Sequence, residues 1–186
     1  MLQHGRRFPA FVKLAGAGAA AGHACCPRSD LRWVIRLCEC SDGAGLPATG
    51  RLLAIQRAAY RVEASLIGDD RIPALHEEVE ELRAARLSWL GAFDDGRRLI
   101  GAVARAEDAD GVDIDRLVVD PAVHRRGAGR KLVQAVLFRA GHRRTTVSTG
   151  RANLPARTLY RGLGFQQLND TEVVPGLWVT HLARIP

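Results

Sequence analysis

The chain has 186 residues, of which 47% are apolar, 25% charged and 5% aromatic. That length suits one ordinary domain with a hydrophobic core better than two. The 19 glycines and 8 prolines are dispersed rather than periodic, which excludes a fibrous protein. The longest apolar-leaning stretch, after Lys13, is too short and too weakly hydrophobic to cross a membrane. We therefore expect a cytoplasmic protein with no membrane partner.

Charge is unevenly distributed along the chain. Residues 63–115 hold 14 acidic residues against six arginines, whereas residues 116–161 hold eleven basic residues against one acid. Two solvated faces that balance each other are one interpretation, and a polyanion-binding half beside a cation-attracting half is the other. No groove-reading motif or aromatic stacking platform accompanies the basic half, so we expect no nucleic-acid partner.

The first 30 residues differ in composition from the rest. They contain Arg6-Arg7, an Ala/Gly run and Cys25-Cys26. We interpret residues 1–30 as a disordered or mis-assigned extension, with an export signal as the alternative. The other two cysteines, Cys38 and Cys40, do not complete a zinc-ligand spacing, so no metal site is expected.

From residue 31 to residue 186 the pattern is that of one mixed α/β domain. A strand at 31–38 and a turn at 41–47 lead into a first helix that ends at Gly68. Its apolar residues recur every three or four positions, at Leu52, Ile55, Ala59, Val62 and Leu66.

The remaining elements continue the alternation of strands and helices. The patterns predict a second helix from Pro73, a hairpin of strands at 87–93 and 99–105, a central strand at 112–119, a helix at 127–140 capped by Gly141, a strand at 145–149, a helix at 155–163, and closing strands around Phe165 and at 177–182.

The most informative stretch is Leu117-Val-Val-Asp-Pro-Ala-Val-His-Arg-Arg-Gly-Ala-Gly-Arg-Lys-Leu, where a buried strand runs through a loop into a helix. Gly127 and Gly129 allow a ligand to approach the backbone, and the helix start presents unpaired N–H groups to an anion. Arg125, Arg126 and Arg130 add charge-assisted donors for phosphate. Taken alone, the loop fits a tight turn with solvated arginines equally well, and it is neither a Walker A nor a dinucleotide motif.

Three pieces of the chain, in order, resemble the GNAT superfamily of acyl-CoA-dependent N-acyltransferases. His124-Arg-Arg-Gly-Ala-Gly is similar to the pyrophosphate loop of that family, with His124 in place of the usual Gln or Arg. Residues 114–121 resemble the family's fourth strand, whose splayed backbone pairs with the pantetheine amides. Residues 148–165 resemble its strand, Asn and Tyr-x-x-x-Gly-Phe signature.

The resemblance implies a single domain with a central mixed, largely antiparallel twisted sheet flanked by helices. It also implies acetyl-CoA as the cosubstrate, an amine as the acceptor, and a homodimer as one assembly common in the family. The residues expected to contact the cofactor are Leu117, Val118, Val119, His124, Arg125, Arg126, Gly127, Ala128, Gly129, Arg130, Asn153 and Arg157. The last two share one helical stripe with Tyr160, at spacings of four and three.

Three residues are predicted to carry chemistry. The resemblance implies that Tyr160 lies near the thioester sulfur, where a phenol can protonate the departing thiolate, and a core aromatic is the alternative. Asp115 is the candidate base, with Asp113 on the same face, and an ion pair with Arg116 is the alternative. Glu63 is expected to hold a cationic acceptor unless it is a solvent-facing helix residue.

Backbone N–H groups near Val118 or Val119 are expected to stabilise the oxyanion of the tetrahedral intermediate. The predicted function is therefore N-acetyl transfer from acetyl-CoA to a primary amine by direct attack on the thioester. A non-catalytic acyl-CoA-binding sensor or regulatory module is the alternative.

Overall fold

The computed structural model describes residues 36–40, 49–85 and 87–185. The predicted extension at 1–30, the start of the first strand at 31–35 and the turn at 41–47 lie outside these residues. The elements are β1 (Arg36–Cys40), α1 (Thr49–Ile67), α2 (Pro73–His76), α3 (Val79–Ala84), β2 (Ser88–Phe93), β3 (Leu99–Asp108), β4 (Gly111–Val119), α4 (Ala128–Ala140), β5 (Thr145–Gly150), α5 (Leu154–Arg161), β6 (Gln166–Val174) and β7 (Leu177–Arg184).

The described strands form one seven-stranded sheet in the order β1-β2-β3-β4-β5-β7-β6. Every neighbouring pair is antiparallel except β4 and β5, which run parallel. A parallel pair needs a crossover connection, and α4 supplies it. The predicted mixed, largely antiparallel sheet is thereby confirmed.

Helices cover both faces of the sheet and enclose two hydrophobic cores. On one face, Leu132, Val133 and Val136 of α4 are fully buried against the sheet, in what we call the α4-side core. On the other face, Leu52 and Ile55 of α1 pack with Leu82, Leu87 and Trp89 in the α1-side core. At roughly 25 cal/mol per Å² of buried apolar area, these two cores supply the main driving force for folding.

The apolar face predicted for α1 is wrong in its second half. Leu52 and Ile55 are buried, but Val62 and Leu66 are 36% and 44% exposed. The face that turns inward is instead Gln56, Tyr60, Glu63 and Ile67, spaced four, three and four. This face is mainly polar because the second half of α1 borders a cleft, so a hydrophobic pattern does not reveal it.

The single helix predicted from Pro73 is two short helices. The backbone is extended at Glu77 and Glu78, between α2 and α3. The Glu77 side chain leaves the helical path to bind Arg116, while Glu78 and Glu81 form a capping box that starts α3. Side-chain hydrogen bonds therefore compensate for the break in the helix.

Candidate active site

The two parallel strands separate partway along their length. Pairing between β4 and β5 covers only residues 112–114 and 145–147, ending at Ile114 opposite Val147. Beyond that point β4 continues beside β3 and β5 continues beside β7. The separated halves border a cleft of about 300 Å³, which we call the β4–β5 cleft.

The β4–β5 cleft gathers residues from α1, α2, α3, β4, β5, α5 and β7. Its lining includes Tyr60, Glu63, Glu77, Glu81, Asp115, Arg116, Leu117, Ser148, Thr149, Gly150, Asn153, Tyr160, Leu177 and Val179. All three residues predicted to carry chemistry, and two of those expected to contact the cofactor, are therefore in one cavity.

An irregularity in β4 changes the direction of the side chains at this point. In the register with β3, Arg116 lies opposite Ala104 and Ile114 lies opposite Arg105, so Asp115 is an extra residue. Such a bulge interrupts the alternation of faces. As a result Asp115 and Arg116, although adjacent in sequence, are paired, with Arg116 Nε 2.9 Å from Asp115 Oδ1.

Arg116 connects the bulge to the helices on the α1 side. Its Nη1 donates to Glu77 and, at 3.3 Å, to Gln56 Oε1. Gln56 Nε2 in turn donates to Glu77 Oε2 at 2.6 Å. Burial raises the pKa of Asp115, and the neighbouring Arg116 only partly offsets this. The ion pair, given above as the alternative to a base, is therefore the arrangement that the structure contains.

Glu63 joins α1 to the end of β5. Its Oε1 accepts hydrogen bonds from Gly150 N and from Thr149 Oγ1, both at 3.2 Å. The approach is close, because a Cβ on Gly150 would lie 2.7 Å from Ile67 Cγ2. Glu63 is thus not a solvent-facing helix residue. It lines the cleft, and the hydrogen bond from the Gly150 N–H holds its carboxylate in place.

Two phenols face the same cleft. Tyr160 is 4% exposed, and its ring packs edge-on against Phe165 with centroids 5.5 Å apart. Burial raises the pKa of Tyr160 and also that of Tyr60, with Glu63 as the next contribution to both. Both phenols therefore keep their protons at neutral pH. Tyr160 combines both interpretations, since it is a core aromatic on one side and lines the cleft on the other.

The helix start predicted to bind an anion lies where β4 ends. Gly127 is the N-cap of α4 with φ 86°, and no side chain caps the first turn. A Cβ on Gly129 would be in ordinary contact with Leu117, Val119 and Leu159. Leu117 also lines the cleft, so the start of α4 lies next to one lining residue, although no residue of the loop is itself in the lining. Arg125 and Arg126 are exposed in this loop.

Several other residues expected to contact the cofactor have protein partners. His124 Nε2 lies 3.0 Å from Val119 O, and Arg130 Nη1 donates to Gly162 O at 3.1 Å. Arg157 donates to Arg151 O and Gln167 Oε1, at 2.7 and 3.0 Å, and lies outside the cleft lining. The Val118 side chain is buried in the α1-side core, which leaves only its backbone for a ligand.

Asn153 lines the cleft and also caps α5. Its Oδ1 accepts from Ala156 N at 3.1 Å, and the residue is 8% exposed. Sequence reasoning missed Tyr60 and Glu77, which line the α1 side of the cleft, and the buried Gln56, which holds Glu77 and Arg116 from behind. The spacing of Gln56, Tyr60 and Glu63 along one helical face was the available signal.

Among the described residues, no group of three or more His, Cys, Asp or Glu is arranged to hold a metal ion. Within the same part of the chain, no helix is both long and apolar enough to cross a membrane.

The fold and site together define an α/β protein with a ligand cleft where two parallel strands separate, ending at a glycine-rich helix start. The model of the acetyltransferase (GNAT) family matches residues 51–165, which include the whole cleft apart from β7. The chain belongs to the GNAT acetyltransferase family.

A curated relative extends this likeness. The UPF0157 protein YqkA of Bacillus subtilis strain 168 is 36% identical over 127 residues. The match covers 68% of this chain and 37% of the relative, so the chain spans well under half of that protein's length.

Solved structures share the fold at low sequence identity. A putative acetyltransferase from Acinetobacter baylyi superposes with a TM-score of 0.63 at 14% identity, covering 83% of this chain and 94% of its own. PaiA N-acetyltransferase from Thermoplasma acidophilum, in complex with coenzyme A, superposes with a TM-score of 0.62 at 16% identity, covering 82% of this chain and 99% of its own. The ribosomal-protein-S18-alanine N-acetyltransferase of Escherichia coli superposes with a TM-score of 0.62 at 16% identity, covering 81% of this chain and 94% of its own.

Proposed function

We propose that the protein transfers an acetyl group from acetyl-CoA to a primary amine by direct attack of the amine on the thioester. The observation that carries the proposal is the separation of β4 from β5 beside the uncapped start of α4. This separation leaves one edge of β4 without a strand partner, and the helix start that follows β4 has uncapped N–H groups, which suit an anion.

The cofactor half of the site runs along β4 and into the loop before α4. At 117–119 β4 pairs with β3 on one side and has no β5 partner on the other, and this open edge is suited to the pantetheine amides. The N–H groups of Ala128, Gly129 and Arg130 are suited to the pyrophosphate. Arg125 and Arg126 add positive charge at the same end. His124, Arg130, Asn153 and Arg157 then serve chiefly to hold the loop and α5 in place.

The acceptor half is acidic. Glu63, Glu77, Glu81 and Asp115 line the cleft against one arginine, Arg116. Glu63 Oε1 and Asp115 Oδ1 have the protein partners given above, whereas the second oxygen of each carboxylate has none among the described residues. This excess of negative charge suits an ammonium group, and a second positive charge on the acceptor strengthens the attraction.

Tyr160 supplies the proton that the reaction needs at sulfur. The uncharged amine attacks the thioester carbon and forms the C–N bond, and backbone N–H groups near 118–119 stabilise the oxyanion. When the C–S bond breaks, the thiolate takes the phenolic proton of Tyr160. The nitrogen loses one proton to solvent as the amide forms, and Tyr160 regains one from solvent, so the protons balance.

The test is acetyl transfer to a panel of butylamine, 1,4-diaminobutane, spermidine and an unblocked peptide, with Tyr160→Phe and Tyr60→Phe compared. Both variants remove one phenol from the same cleft. We expect Tyr160→Phe to lose roughly 10²-fold in kcat, the lower end for general acid catalysis, while still binding acetyl-CoA. The kcat of Tyr60→Phe should stay within a few-fold of the wild-type value. Binding without turnover of any amine would favour the sensor instead.

A further inference from the structure

A serine of β5 points into the cleft at the place where the strands separate. Val147, the last residue paired with β4, points into the α4-side core, so Ser148 points to the opposite face. Ser148 lines the β4–β5 cleft together with Tyr160 and Asp115. None of the steps described above uses its hydroxyl.

The Ser148 hydroxyl is paired with a histidine. Ser148 and His181 are direct partners in the register of β5 and β7, and Ser148 Oγ is 2.8 Å from His181 Nδ1. On its far side, His181 Nε2 is 3.1 Å from Thr171 Oγ1 of β6. A continuous chain of hydrogen bonds therefore leads from the cleft across two strands.

The surroundings of His181 suit an imidazole that is neutral at rest and can accept a proton. Partial burial lowers the pKa of His181, while Asp170 and Asp113 act in the opposite direction. Asp113 is fixed by Thr146 Oγ1, which donates to it at 2.6 Å. These two carboxylates stabilise the imidazolium at the moment it forms.

We propose that Ser148 and His181 are the proton acceptor for the amine, with Ser148 touching the substrate and His181 acting through it. The inference rests on the proposed function and names the base of that reaction. Asp115, the base expected from the sequence, has one oxygen on Arg116 and serves instead to hold the ammonium group.

The proposed step conserves protons and bonds. The ammonium N–H bond breaks as its proton moves to Ser148 Oγ, and the Ser148 O–H proton moves to His181 Nδ1. The imidazolium keeps its Nε2–H, which donates to Thr171 Oγ1. The freed amine then attacks the thioester, and its nitrogen loses a second proton to solvent as the amide forms. Tyr160 protonates the departing thiolate, and solvent afterwards restores the Tyr160 proton and takes the one held by His181. This direction requires the resting tautomer with the proton on Nε2.

Nitrogen NMR of the imidazoles tests the tautomer without any acceptor. We expect the His181 resonances, assigned by their loss in His181→Gln, to report an Nε2–H tautomer with a pKa below 6.5. We further expect Ser148→Ala to shift the Nδ1 resonance. A resting Nδ1–H tautomer would overturn the proposal, because Ser148 would then be the acceptor of that bond.

Kinetics test the role in turnover. With acetyl-CoA and 1,4-diaminobutane, Ser148→Ala and His181→Gln should each lose about 10²-fold in kcat/KM. In wild type, kcat/KM should fall at acid pH because His181 becomes protonated. This acid limb of the pH profile should disappear in His181→Gln. The control is His142→Gln, which removes an exposed imidazole before β5. Calorimetric binding of acetyl-CoA verifies that each variant is folded.

The outcomes separate the two proposals. Wild-type turnover that survives both substitutions with an unchanged pH profile would contradict the relay and leave acetyl transfer standing. Wild type that binds acetyl-CoA but acetylates no amine would contradict the proposed function. The resting tautomer of His181 would then still decide whether Ser148 donates its hydrogen bond to His181. An acetyl group found on Ser148 by mass spectrometry would also overturn the relay, since Ser148 would be a nucleophile.

Discussion

At the scale of single residues, Asp115 illustrates how one inserted position changes the chemistry available to a side chain. Without the bulge, Asp115 and Arg116 would point to opposite faces of β4. With it, Arg116 neutralises part of the Asp115 charge and carries the connection on to Glu77. The carboxylate is thereby held in place and becomes better suited to binding a cation than to removing its proton.

Asp115→Asn tests that distinction. Losing one charge-assisted hydrogen bond to an ammonium group should raise the KM for 1,4-diaminobutane about tenfold. The acid limb of the kcat/KM profile should stay where it is, because His181 sets it. Loss of that limb in Asp115→Asn would show that Asp115 is the base.

Single residues are also where sequence reasoning met its limits. The loop from His124 to Arg130 and the Tyr160 signature were local patterns, and Tyr160 lines the cleft while the loop follows the strand that borders it. Ser148 and His181 are 33 positions apart, and only the register of β5 against β7 brings them together. No local spacing encodes such a pair.

At the scale of elements, the site depends on how closely α1 approaches the end of β5. Glu63 accepts from the Gly150 N–H only because Gly150 has no side chain to collide with Ile67. The order and type of the elements followed from periodicity. The inward face of α1 and the break between α2 and α3 did not, because polar tertiary contacts determine both.

Gly150→Ala should therefore destabilise the fold by about 1–3 kcal/mol, the usual cost of overpacking. It should also weaken turnover by displacing Glu63. Chemical denaturation measures the first effect. Gly96→Ala is the control, because a Cβ there meets only Asp94 Oδ1 at 3.4 Å.

Adding Ile67→Ala to Gly150→Ala identifies the cause. Removing the Ile67 methyl groups makes room for the new Cβ, so the double variant should be more stable than the sum of the single effects. Strict additivity would mean that the close contact is not the source of the cost.

At the scale of the whole molecule, the charge asymmetry of the sequence corresponds to an acidic cleft lining and a basic loop before α4. Glu63 of α1, Glu77 between α2 and α3, Glu81 of α3 and Asp115 of β4 line the cleft. Arg125 and Arg126 are exposed in the loop before α4, which is outside that lining. Since exposed charges are screened by salt, binding of the anionic cofactor should weaken as ionic strength rises.

Arg125→Asn tests the contribution of the loop. Arg125 has φ 63°, which Asn tolerates, so the substitution removes charge without new backbone strain. We expect acetyl-CoA to bind roughly fivefold more weakly at low salt, or about 1 kcal/mol, with a shallower salt dependence. Arg97→Asn is the matched control, with φ 61° in the β2–β3 turn. Equal weakening in both variants would indicate a general effect of net charge.

Calorimetric titration of the full chain with acetyl-CoA is the most direct test of the account as a whole, comparing wild type, Gly129→Glu and Gly96→Glu. A Cβ on Gly129 would make only ordinary contacts, so we expect the glutamate carboxylate to repel the pyrophosphate without unfolding α4. We predict micromolar-range binding by wild type and Gly96→Glu, and its loss in Gly129→Glu. Absence of binding by folded wild type, or undiminished binding by Gly129→Glu, would contradict a cofactor path ending at the start of α4.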